Sequence, residues 1–113
     1  MLRSFHYAAY AALLAQQHRG LASHEDVASL ESWAEHWHTW IGATFLKAYL
    51  VVAQQGNYLP VEENDLRILL DIYLLEKAVY ELGYELNHRP DWVAIPLRGI
   101  VDVLNARRAK EPA

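Results

Sequence analysis

Residues 62–87 read EENDLRILLDIYLLEKAVYELGYELN, and this stretch decides the fold. Apolar residues return every three or four positions. No alternating apolar–polar run long enough for a strand interrupts them. At about 100° per residue, Ile72, Leu75, Val79, Leu82 and Leu86 share one side, which is expected to be the buried one. The spacing predicts a helix over Glu62–Asn87. It is stopped by His88-Arg89-Pro90, because the residue before a proline disfavours the helical region.

Working outward, Asp91–Ile95 makes a short turn and Pro96 suits the first turn of a following helix. Leu97, Ile100, Val101 and Leu104 carry that helix forward. The polar tail 107–113 is expected to fray. Towards the N-terminus, Gly56-Asn57 and Pro60 close a helix that opens at Ser23 or His24 and runs to Gln55. It holds about 30 residues, or roughly 45 Å at the usual rise. Glu25 and Asp26 lie in its first turn, where carboxylates favour the positive end of the helix dipole. Gly42 inside it marks a weak point or a close approach. A first helix covers Arg3–His18 and ends at Gly20. The expectation is an all-α fold, about four helices in a bundle, forming a single domain over 1–113.

Composition narrows the function. The chain has 113 residues, 53% of them hydrophobic, so a core can form at this length. The net charge is −4, and basic residues cluster only at Arg107, Arg108 and Lys110, which argues against nucleic acid. Cysteine is absent, so disulfides and thiolate metal sites are excluded. No run of about 18 apolar residues occurs. The segment Met1–Leu14 is broken by His6, Tyr7 and Tyr10 and reads as an amphipathic helix rather than a signal peptide. A cytoplasmic protein that does not engage membranes is expected.

The third helix also carries the most suggestive chemistry. Tyr73, Lys77, Tyr80 and Tyr84 fall within an arc of roughly 60°, flanked by Glu76 and Glu81. Rings offer flat apolar faces for sugar C–H groups, and phenol, ammonium and carboxylate groups suit sugar hydroxyls. The same spacing also suits half-buried core tyrosines with wet hydroxyls, and a Lys77 paired with Glu81 or Tyr73. Trp33, Trp37 and Trp40 form an aromatic seam that is expected to pack against the first or third helix. A carbohydrate platform or partner interface is the alternative.

Other site chemistries find little footing. His36 and His38 point about 200° apart on a helix and cannot share one ion. His6, His18, His24 and His88 show no ligand spacing, so no metal residue is assigned. There is no phosphate-cradling glycine loop and no nucleophile elbow, and no catalytic residue is assigned.

The run Leu74-Leu75-Glu76-Lys77-Ala78-Val79-Tyr80-Glu81-Leu82-Gly83-Tyr84-Glu85-Leu86-Asn87-His88-Arg89-Pro90-Asp91-Trp92-Val93-Ala94-Ile95-Pro96-Leu97-Arg98-Gly99-Ile100 resembles the C-terminal signature of bacterial maltokinases. That signature also occurs where the kinase is fused to trehalose synthase. Met1–Tyr10 is similar to the segment after the family's metal-binding loop, and Phe45–Leu50 to the end of its long intervening helix. The resemblance spans nearly the whole chain and is most specific from Leu74 to Ile100. It implies a piece of an aminoglycoside-phosphotransferase-like kinase, a family that makes maltose 1-phosphate from ATP and maltose with Mg²⁺. By position, Glu76, Lys77, Tyr80, Glu81 and Tyr84 would touch maltose.

Departures from the family pattern matter as much. The His-Gly-Asp catalytic loop, the Asp-Phe magnesium motif and the nucleotide lobe are not in this sequence, and His88 stands where the family usually has Asn. Phosphoryl transfer depends on positioning and on charge neutralisation by Mg²⁺ and cationic groups. The expectation is an acceptor-sugar half, inactive alone, with no cofactor of its own. The rival expectation is a non-catalytic helical module that docks on a trehalose synthase, on a separate kinase half or on a second copy of itself.

Overall fold

The computed structural model describes residues 1–20 and 23–110, with the side chain of His24 excepted. All regular structure among them is helical. Helix α1 spans Leu2–His18, α2 His24–Ala53, α3 Glu63–His88 and α4 Ala94–Arg108. Short 3-10 turns lie at Gln54–Gly56 and Pro90–Trp92. The all-α fold with four helices stands as the sequence predicts. Among the described residues no helix is long and apolar enough to cross a membrane.

The boundaries have local causes. Gly20 takes a φ of 65°, the left-handed conformation that lets α1 end there. Ser23 and Asp26 form a capping box at the start of α2. The Asp26 N–H donates to Ser23 Oγ at 3.3 Å, and the Ser23 N–H donates back to Asp26 Oδ2 at 3.1 Å. The Ser23 hydroxyl also donates to that carboxylate at 2.6 Å. These bonds, the side-chain one first, hold the Asp26 carboxyl below its ordinary range. At its other end α4 stays helical through Arg108, so Arg107 and Arg108 belong to the helix and not to a frayed tail. Ala109 and Lys110 continue as a hydrogen-bonded turn, and the last of the expected tail, 111–113, lies outside the described residues.

The chain divides into two compact units, Met1–Gly56 and Asn57–Ala113. In the first, α1 packs on α2. Arg3, His6, Tyr10 and Leu13, at i, i+3, i+7 and i+10, turn inward from α1. The seam is rich in rings. Phe5 meets Phe45 edge-on at 5.6 Å, and His6 contacts Tyr10 at 4.7 Å and His38 at 4.9 Å. Helix α2 runs unbroken past Gly42. A Cβ there would meet Leu2 at 3.5 Å, which is ordinary contact.

In the second unit α3 packs on α4. The inward stripe of α3 is Asp71, Leu74, Leu75, Ala78, Glu81, Leu82 and Glu85, with Ala78 wholly covered and Glu85 1% exposed. This corrects the expected core. Ile72, Val79 and Leu86 are exposed, and only Leu75 and Leu82 of that set face inward. The buried stripe is rotated by roughly 80° from the one the apolar residues mark. Ala78 is small enough for close helix approach, and the charge of Glu85 is met by Arg89. These two non-obvious residues therefore take the centre.

Candidate functional site

The outer face of α3 is built by subtraction. With Ala78 and Glu85 inward, Tyr73, Lys77, Tyr80 and Tyr84 must point to the far side, and all four are exposed. Tyr80 is 65% exposed, so the half-buried alternative for it does not hold. The Lys77 ammonium sits 4.7 Å from the Tyr80 ring centroid, a cation–π contact rather than an ion pair with Glu81. Of the flanking carboxylates, Glu76 is exposed on the Tyr80 side. Glu81 is half-buried towards the packed side. The structure thus brings Lys77, Tyr80, Tyr84 and Glu76 onto one accessible surface and turns Glu81 to its edge.

At the C-terminal end of this surface a second cluster fixes the rings. His88 stacks on Tyr84 with centroids 4.2 Å apart and planes inclined by 15°. Its Nδ1 lies 2.8 Å from the Tyr84 carbonyl oxygen, so this nitrogen donates to it. The Arg89 guanidinium donates to both carboxylate oxygens of Glu85, Nε at 2.8 Å and Nη2 at 2.7 Å. The same guanidinium covers the Trp92 ring at 4.3 Å and lies 5.7 Å from that of Tyr84. Sequence reasoning passed over His88, Arg89 and Trp92 as site-shaping residues. The Glu85–Arg89 spacing of i, i+4, with Glu first, was the available signal.

The first unit carries a different surface. A cleft of about 260 Å³ lies between α1 and α2. Ala9, Leu13 and Gln16 line it on one side, and Leu30, Trp33 and Trp37 on the other. The tryptophan seam is therefore not core. Trp33 and Trp40 are 68% and 70% exposed, and Trp37 is also exposed. The inward face of α2 is taken by Ala34, His38, Ile41 and Phe45, one arc away. His36 faces outward beside Trp33, with rings 6.2 Å apart, while His38 turns towards His6.

No known protein-family model matches the chain. No solved structure matches it either.

Proposed function

We propose that the chain is the acceptor-sugar half of a maltokinase-type kinase and that the outer face of α3 holds maltose. The single observation that carries this reading is the shared, accessible face of Lys77, Tyr80 and Tyr84. One side of the Tyr80 ring is occupied by an ammonium and one side of the Tyr84 ring by an imidazole. The exposed side of the Tyr80 ring offers an apolar plane to pyranose C–H groups. The phenol hydroxyls, the Lys77 ammonium and the Glu76 carboxylate supply donors and acceptors for ring hydroxyls. Glu81 stands at the edge of this face, half-buried towards the packed side. The resemblance over Leu74–Ile100 supports the same five residues.

The role is to bind and orient the acceptor. ATP and Mg²⁺ chemistry belongs to the His-Gly-Asp and Asp-Phe motifs of the family, which these 113 residues do not contain. Titration of the isotope-labelled protein with millimolar maltose tests the reading. Shifts concentrated at Lys77, Tyr80 and Tyr84, lost in Tyr80→Ala, are expected. A folded protein whose spectrum ignores maltose would overturn it.

A further inference from the structure

The cleft of α1 and α2 and the outer side of α4 carry apolar stripes of matching spacing, each ending in one charge of opposite sign. Along α2, Asp26, Leu30, Trp33 and Trp37 recur at i, i+4, i+7 and i+11, which makes one stripe. Along α4, Leu97, Val101, Leu104 and Arg108 recur at the same spacing. Every one of these eight residues is exposed. Each stripe spans about 16 Å. Run antiparallel, they place Arg108 opposite Asp26, Leu104 opposite Leu30, Val101 opposite Trp33 and Leu97 opposite Trp37.

The cleft itself says what kind of group fits. At about 260 Å³ it lies below the ~300–1,000 Å³ usual for small-molecule pockets, and among the described residues its lining is apolar apart from Gln16 and the indole N–H groups. Aliphatic side chains projecting from a helix suit such a groove. Charge then selects which helix. Asp26 is the one charged residue on the α2 stripe, with Glu25, Glu31 and Glu35 on other arcs and no lysine or arginine in residues 24–40, whereas Arg107, Arg108 and Lys110 crowd the end of α4. Two identical clefts set antiparallel would leave Asp26 against Trp37 with no charge paired, while α4 against the cleft sets Arg108 against Asp26.

We propose that the α1–α2 face is a docking site for α4 of a second copy of this chain. The contact is heterologous, using different surfaces on the two copies, so it closes as a reciprocal dimer or extends head to tail. It does not depend on the sugar reading, since α3's outer face takes no part.

Sedimentation of the full chain with two variants tests it. Trp33→Ala with Trp37→Ala blunts the cleft, and Val101→Glu with Arg108→Glu blunts the α4 stripe. All four positions are exposed, and circular dichroism checks that the helices remain. The unaltered chain is expected to self-associate, more weakly as salt rises. Either variant alone is expected to raise the dissociation constant at least about tenfold. An equimolar mixture of the two is expected to recover a one-to-one heterodimer, because each retains the surface the other lacks. A chain that stays monomeric at all concentrations overturns the proposal, as does association that neither variant disturbs. Loss in the cleft variant without rescue on mixing also overturns it, in favour of cleft-to-cleft pairing. If one variant fails to fold, the salt dependence and the other variant still decide.

Discussion

Arg89 grips the Glu85 carboxylate at two points, 2.7 and 2.8 Å, from one turn further along the chain. Glu85 is at the centre of the packed side of α3, and Arg89 stands where that helix stops. The pair therefore joins the middle of the unit's core to the turn that leads into α4. The Trp92 N–H donates to the Arg89 carbonyl at 2.8 Å and continues the link.

Removing the guanidinium is expected to be costly. Arg89→Ala should lower stability by about 2 kcal/mol or more, because a buried carboxylate loses a two-point partner while the arginine itself is half exposed. Arg89→Lys should recover less than half, since an ammonium cannot make the fork. Urea unfolding measures both. Equal stability of Arg89→Lys and the unaltered chain would contradict the role given to the fork.

The rotated core of α3 gives a paired prediction. Ala78→Leu should cost about 1–3 kcal/mol, because the site is fully covered and the added carbons must displace α4. Val79→Glu, one residue on, should change stability by no more than about 0.5 kcal/mol, since Val79 is exposed. Were the apolar wheel the true core, unfolding midpoints would rank the two variants the other way.

The capping box of α2 carries a pH signature. Asp26 titrates below its ordinary value in the folded chain, chiefly through the Ser23 hydroxyl. A depressed carboxyl contributes stability that is fully present above its unfolded value, near 3.9, and is lost as pH falls through the folded one. Ser23→Ala should cost about 1 kcal/mol at neutral pH and raise the Asp26 titration towards the ordinary range, with the backbone N–H of residue 23 still holding it somewhat below. Carbon-detected titration of the side chain reads the shift directly, and an unmoved midpoint would dissociate it from Ser23.

On the outer face of α3, where we propose that maltose binds, Lys77→Met should weaken maltose binding at least about fivefold while leaving the unfolding midpoint unchanged. Lys77 is exposed and its ammonium lies against the Tyr80 ring, so little stability rests on it. A fall in stability matching the loss of binding would mean that Lys77 supports the helix and not the sugar.

How far the sequence could be read depended on how local each cause was. Helix ends followed from neighbours in the chain: Gly20, Ser23 with Asp26, and Arg89 before Pro90. That Tyr73, Lys77, Tyr80 and Tyr84 share one face followed from spacing alone, whereas that this face is exposed did not. Which arc of α3 is buried did not. An alanine and a glutamate carry little hydrophobic signal, and what places them inward is the approach of α4 and the reach of Arg89. The tryptophans misled for the related reason that size suggests burial. On α2, the inward arc instead holds His38, which meets His6 from a helix some thirty residues earlier. A contact between two helices leaves no trace in the spacing along either one.

The placement of the four tryptophans has one more consequence. Three stand in solvent on α2, in the first unit, and the fourth lies under the Arg89 guanidinium in the second. The chain thus carries separate intrinsic fluorophores for its two halves. With the α2 indoles replaced by phenylalanine, emission from Trp92 alone would follow the melting of one half without interference from the other.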